Sequence, residues 1–293
     1  MSVLPVWDLT DFYPSFNSKN ILSDIKSLKR TIDKFCKNFK NKLNTMPENK
    51  LLESLVDYEE IEEIFSKLRS YAYLVYCTDQ LNEEKTKFYQ FIDESLSELD
   101  KKIIFYPIEI NKLNKKKSSS FLESKYKNWF SNLKKLKKYQ KSESIEKLLL
   151  EKSLTSSSAW IKFFDQTMTR LKFYYRGKKL SETEILNLFS SHDRKVRKDA
   201  ALAFGKTLKE NIFNFCFITN ILSKDLDIEK NVRGFAFSET SRHLSNQIDK
   251  EDVDSLVKTV KMNYVSISHR YYKYKSKSFK KLKLDFWDRN APF

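Results

Sequence analysis

The stretch ILSDIKSLKRTIDKFCKNF, residues 21–39, spaces its apolar side chains in alternating steps of four and three. Those side chains are Ile21, Ile25, Leu28, Ile32, Phe35 and Phe39. Steps of this size place them on one face of an α-helix. The stretch therefore predicts a long amphipathic helix with one buried face.

The same period recurs along the rest of the chain. It predicts helices over residues 50–77, from Asn82 to Pro107, over 121–139 and 145–154, over 194–226, and after Asp249. The run KKKSSS at 115–120 interrupts the pattern and is expected to be a loop. The 293 residues include only 3 Gly and 5 Pro, too few for the frequent turns of a β-rich fold. The predicted fold class is therefore all-α, with long antiparallel helices.

One segment departs from the helical period. Around Gly177, the sequence RLKFYYRGKKL at 170–180 predicts a short β-hairpin. It is followed by Ser181 and Glu184, whose spacing is that of a capping box, so a helix is expected to begin at residue 182. We accordingly predict two domains: an amino-terminal helical domain over 1–180 that ends in the hairpin, and a helical segment over 181–293.

Composition excludes several classes of protein. The three glycines are too far apart for a phosphate-binding loop, and the longest apolar run, residues 71–77, is too short to span a membrane. The first eight residues lack the basic and apolar regions of a leader, so the sequence predicts a soluble, cytoplasmic protein. Cys36, Cys77 and Cys216 lie in helical patterns and are expected to be buried, reduced thiols.

The formal charge of +16 is compatible with nucleic-acid binding. However, the chain has 45 Lys and 10 Arg, and few Ala and Gly, as the codons of an AT-rich genome would produce. Recognition of phosphates and bases favours the arginine fork over lysine. A nucleic-acid partner is therefore not favoured, and the aromatic residues of the mixed aromatic and basic stretch 269–283, namely Tyr271, Tyr274 and Phe279, are interpreted as core and interface anchors.

No catalytic constellation is visible in the sequence. His192, His243 and His269 are too far apart to supply the paired helical ligands of a zinc hydrolase. The carboxylate clusters, such as Glu59-Glu60, are expected on solvated helix faces. We therefore assign no catalytic residue and no metal ligand to this chain.

Eight segments, taken in order, resemble the amino-terminal half of oligoendopeptidase F, a zinc metallopeptidase related to thimet oligopeptidase. They are WDLTDFYP at 7–14, SYAYLVY at 70–76, FDQTMTRL at 164–171, VRKDA at 196–200, ITNILSKD at 218–225, SRHLSNQ at 241–247, HRYY at 269–272 and WDRNAP at 287–292. The resemblance extends from the first helix to the last residue.

The resemblance implies the amino-terminal lobe of a two-lobed, all-helical enzyme with a channel that admits short peptides. In that family a His-Glu-x-x-His helix and a later Glu hold zinc, and the Glu of the motif activates the attacking water. These residues belong to a carboxy-terminal catalytic lobe beyond the last segment matched here. This chain alone is therefore expected to bind no zinc and to be inactive, with short peptides and the catalytic lobe as its partners.

Within such a lobe, polar residues of the interhelical and terminal segments are the candidates for lining the substrate channel. They are Arg233, Arg242, His243, Asp288, Arg289 and Asn290. Guanidinium and amide groups there would bind the ends or backbone of a peptide. Two alternatives remain open: a non-catalytic remnant that binds peptides or a partner, and a basic helical nucleic-acid-binding protein.

Overall fold

The computed structural model describes residues 7–293. The prediction that the chain has no leader concerns residues 1–8, and residues 1–6 lie outside this part of the chain. The described residues form two compact units, the first ending at Ala159 and the second covering Trp160–Phe293.

The first unit is helical throughout its regular structure. Its helices are α1 (Lys19–Phe39), α2 (Glu48–Thr78), α3 (Glu83–Ile103), α4 (Phe105–Lys112), α5 (Lys115–Leu122), α6 (Lys127–Leu136) and α7 (Glu143–Ser153), and α8 (Ser157–Arg170) crosses the boundary between the units. Helices α1, α2 and α3 pack on one another around a core that includes Leu28, Ile32 and Phe65. This arrangement confirms the predicted all-α fold.

The second unit begins with the end of α8 and the hairpin of β1 (Phe173–Tyr175) and β2 (Lys178–Leu180). The remaining helices are α9 (Glu182–Asn187), α10 (Arg194–Glu210), α11 (Ile212–Arg233), α12 (Thr240–Ser245), α13 (Lys250–Met262) and α14 (Arg270–Ser278). A π-helical turn, Tyr264–His269, precedes α14, and a 3-10 turn, Phe286–Asp288, follows it. The capping box of Ser181 and Glu184 is present, and α9 begins at residue 182 as predicted.

Several local expectations were wrong. The predicted helix over 121–139 is interrupted at residues 123–126, between α5 and α6. Residues 115–120 form most of α5 rather than a loop, because Asn114 caps the helix and Ser119 and Ser120 donate to carbonyls three residues back. The predicted helix over 194–226 is two helices separated at Asn211. The cysteines are not buried: Cys216 is exposed, whereas Cys36 and Cys77 are half-buried.

The hairpin packs with the elements that follow it. Phe173 is fully buried with Ile185 and Ala200, and its ring stacks on Phe204 at 5.1 Å between centroids. The hairpin therefore packs with helices α9 and α10 of the second unit. The physical reason is that a two-stranded hairpin cannot bury its apolar face alone and requires the helices next to it.

Alanine substitutions at Gly234 and Gly205 are expected to change the free energy of unfolding in opposite directions. Gly234 ends α11 with a φ of 77°, and its amide and that of Phe235 both donate to the Lys230 carbonyl. An alanine at this position would have to adopt the left-handed conformation, in which its Cβ crowds the backbone. Gly234→Ala is therefore expected to destabilise the protein by about 1–2 kcal/mol. Gly205 lies within α10 with open space where an alanine Cβ would lie, so Gly205→Ala is expected to stabilise it by about 0.5–1 kcal/mol. Urea unfolding of both variants tests this, and shifts of equal sign would contradict it.

Candidate functional site

The segment that follows α14 is held to α10 by a buried ion-pair network. Asp288 is fully buried, and its carboxylate accepts from Arg194 Nε at 3.1 Å and from Arg197 Nη2 at 3.0 Å. Arg194 also pairs with Asp285. One buried carboxylate therefore contacts two guanidinium groups of the same helix.

The hydrogen bonds around this network satisfy the buried Arg197. Its Nη1 donates to the carbonyls of Ser191 and His192, at 2.7 and 3.0 Å, and its Nε donates to the Trp287 carbonyl at 3.0 Å. Burial alone raises the pKa of the Asp288 carboxyl, but hydrogen bonds from Arg194, the Asp285 amide and Arg197 lower that pKa below its ordinary value. Asp288 therefore stays ionised and holds the segment in place.

A buried lysine anchors the same segment from the other side. Lys275 of α14 is almost fully buried, and its Nζ donates to the Arg289 carbonyl at 2.9 Å. The ammonium also lies 5.5 Å from the ring centroid of Phe293 and 5.7 Å from that of Phe279. Rings at this distance stabilise a cation. Residues 285–293 are thus bound to α10 by ion pairs and to α14 by a hydrogen bond from Lys275.

An open cavity of about 530 Å³ lies between residues 269–276, mostly of α14, and residues 282–289 that follow this helix. It is lined by His269, Tyr272, Lys273, Ser276, Leu282, Lys283, Leu284, Asp285, Phe286 and Arg289. The lining combines basic groups with an apolar wall. A cavity of this size can hold a small molecule or the end of a short peptide.

The six predicted channel residues lie on α11, on α12 and in the terminal segment. Arg289 lines the cavity, Asp288 lies in the buried network, and Asn290 is exposed beside them. Arg233 pairs with Glu229 on its own helix at 2.8 Å, and Arg242 and His243 belong to α12. Of the six, only Arg289 is among the residues that line this cavity.

Most of the basic residues at the cavity were not selected from the sequence. His269, Lys273 and Lys283 belong to the stretch 269–283, whose aromatic residues were interpreted as core and interface anchors. Tyr271 and Tyr274 are exposed in this structure, so they do not belong to its core. The available signal was the alternation of aromatic and basic residues itself, which is also found in ligand-binding surfaces.

A second cavity, of about 430 Å³, lies in the first unit beside Cys36 and is lined largely by lysines. Its positive charge is already compensated: Lys40 and Lys147 each pair with Glu143 at 2.6 Å, and Lys102 pairs with Asp33 at 2.5 Å. Burial raises the pKa of the Cys36 thiol. A protonated thiol among paired lysines is a weak nucleophile, so this cavity is not the candidate site.

Residues 7–293 contain no group of three or more His, Cys, Asp or Glu side chains that could hold a metal ion. The donors that zinc requires are therefore not assembled in this part of the chain. A search of the same residues for a helix long and apolar enough to cross a membrane also finds none.

Comparison with known proteins confirms the resemblance that the motifs predicted. Residues 109–173 match the amino-terminal family model of the M3 peptidases, which is described as oligopeptidase F. The fold resembles the crystal structure of oligoendopeptidase-F from Enterococcus faecium, with a TM-score of 0.81 and 18% sequence identity, over 94% of this chain and 56% of that one. It also resembles PZ peptidase A, solved with an inhibitor, with a TM-score of 0.72 and 17% identity, over 98% of this chain and 48% of that one.

The chain therefore spans about half the length of these solved structures. A search of curated proteins found no significant match.

Proposed function

We propose that this relative of the M3 peptidases is the amino-terminal portion of a zinc-dependent oligoendopeptidase that hydrolyses short peptides in the cytoplasm. The observation that carries the proposal is the agreement of its fold with oligoendopeptidase-F over 94% of the chain. The match of residues 109–173 to the family model supports it independently. The zinc ligands and the catalytic base would come from a carboxy-terminal lobe, because the described residues offer no metal-binding group.

In this proposal the chain forms one wall of the peptide channel. The candidates for polar contacts with a peptide remain Arg233, Arg242, His243, Arg289 and Asn290, which lie on α11, α12 and the terminal segment. The role of Asp288 would be to position that segment, since its carboxylate is buried and bound by two arginines. The proposed division of the chain into 1–180 and 181–293 places all of these candidates in the part next to the catalytic lobe.

The proposal predicts that the 293-residue chain alone neither retains zinc nor hydrolyses peptides. Without a metal there is no activated water to attack the scissile carbonyl. Metal analysis of the purified chain and an assay with a quenched-fluorescence peptide test this. One tightly bound zinc per chain, together with cleavage that a chelator abolishes, would contradict it.

The assignment to a larger enzyme is tested by the coding sequence that follows the codon for Phe293. We expect that sequence, in one of its frames, to encode a helix with His-Glu-x-x-His, and the longer protein to cleave short peptides. If no such helix is encoded, the proposal of a zinc peptidase fails. A non-catalytic protein that binds peptides or a partner would then be the better interpretation.

A further inference from the structure

The cavity beside α14 concentrates positive charge from two directions. His269, the last residue of the π-helical turn, and Lys273 of α14 both line it from one side. Lys283 and Arg289 face them from the segment that follows α14. Three side chains that are cationic at neutral pH, together with one histidine, therefore surround a single cavity.

This positive charge has little compensation within the described part of the chain. Among residues 7–293, Asp285 is the one carboxylate that lines the cavity, and it is already paired with Arg194 of α10. Within the same residues, Lys273, Lys283 and Arg289 form no ion pair with a carboxylate. The cavity thus presents an uncompensated positive potential, which complements an anionic ligand.

The rest of the lining is apolar. Tyr272, Leu282, Leu284 and Phe286 contribute it, and the side chains of Leu282 and Phe286 are exposed to solvent. An inorganic anion would gain nothing from such a wall, whereas a carboxylate attached to an apolar group would bury that group against it. A nucleic-acid strand would require a groove that follows several nucleotides, and this cavity has the size of a single small ligand.

The geometry points to a binding site for the terminal carboxylate of a short peptide whose last side chain is apolar. Arg289 supplies the planar fork that binds a carboxylate through two hydrogen bonds, and Lys273 and Lys283 add point charges. The apolar last side chain lies against Phe286 and the leucines. The peptide nature of the ligand rests on the proposed function, whereas the pairing of a carboxylate with an apolar group rests on the lining alone.

The first experiment compares two forms of one peptide, Ala-Ala-Ala-Phe with a free carboxylate and the same peptide with a carboxamide. Binding to the 293-residue chain is measured by titration calorimetry at about 0.15 M salt, where long-range attraction to a basic protein is screened. We expect the free acid to bind at least about tenfold more tightly, because charge-assisted hydrogen bonds are lost with the amide. Equal affinity of the two forms would overturn the proposal, and so would competition by an oligothymidine that displaces the acid.

The second experiment uses matched variants of α14. Lys273 lines the cavity, whereas Lys277, one turn further along the helix, is exposed and does not. Lys273→Gln and Arg289→Gln are each expected to weaken binding of the free acid about five- to tenfold, and Lys277→Gln less than about twofold. A similar loss from all three would show that net charge, rather than this cavity, binds the peptide.

A third arm identifies the source of the carboxylate. If 3-phenylpropionate binds as tightly as the tetrapeptide acid, the site takes apolar carboxylates in general and the peptide assignment is overturned. Weaker binding of the small acid supports the peptide. None of these measurements requires zinc or hydrolysis, so the site can be confirmed even if the coding sequence contains no catalytic lobe, and can fail even if it does.

Discussion

Replacing Asp288 with alanine is expected to lower the free energy of unfolding of the second unit by about 3–5 kcal/mol. The substitution removes the carboxylate that pairs with Arg197, whose guanidinium is itself almost completely buried. A buried cation that loses its partner keeps the full cost of its desolvation. Urea unfolding measures the loss, and hydrogen exchange of the α10 amides locates it.

Asp199→Ala is the matched control for this variant. Asp199 also lies on α10 and also pairs with an arginine, Arg176, at 2.8 Å, but both side chains are partly exposed. Water can replace a lost partner at the surface, so we expect a far smaller loss of stability. Equal losses in the two variants would show that burial of the Asp288 network contributes nothing.

The same network predicts a dependence of stability on pH. The pKa of Asp288 is lowered in the folded protein, so its contribution is fully present above the ordinary aspartate value of about 3.9. It is lost as the pH falls from there through the lowered value. The difference in stability between the wild type and Asp288→Ala should therefore shrink below about pH 4. A difference that stays constant as the pH falls to about 2 would contradict this account.

The second large effect is expected in the core of the first unit. Leu28 of α1 is fully buried in contact with the core, and Leu28→Ala should destabilise the unit by about 2–5 kcal/mol. The cost combines the lost burial of the side chain with the cavity left behind. Leu22 lies on the same helix but is 58% exposed, so Leu22→Ala should change stability by less than about 0.5 kcal/mol. Thermal and urea unfolding of both variants measure the contrast, and similar losses would mean that α1 is packed through a different face.

The regular elements could be predicted wherever a short-range pattern determines them. The period of residues 21–39 marked the face of α1 that the structure buries at Ile21, Leu28, Ile32, Phe35 and Phe39. The hairpin around Gly177 and the box of Ser181 and Glu184 were also found. Each of these depends on neighbours within four residues or so, and such interactions can be read directly from the chain.

Short-range patterns gave wrong predictions at two places: a polar run that is helical, and a helix that ends within an apparently continuous helical period. The lysine and serine run at 115–120 has the composition of a loop, but its serines bond to the backbone within α5. The break at Asn211 follows no proline or glycine. Its amide Nδ2 donates to the Thr207 carbonyl, and the chain leaves the helical conformation there. Side-chain bonds to the backbone of this kind can either continue or end a helix, so composition alone does not distinguish them.

The candidate site shows most clearly what sequence alone could not supply. The motif at 287–292 pointed to the terminal segment, but not to the partners of Asp288, because Arg194 lies 94 residues earlier in the chain. Nor could it show that Lys275 is buried while Tyr274 beside it is exposed.

Sequence by itself determined the helical class, the hairpin and the resemblance to the peptidases, since these depend on local spacing and on the order of motifs. The tertiary structure decided which charges are buried, which are paired, and which surround the cavity beside α14. The physical reason is that burial and ion pairing depend on contacts between residues far apart in the chain, and local periodicity contains no information about which distant charge will be brought near.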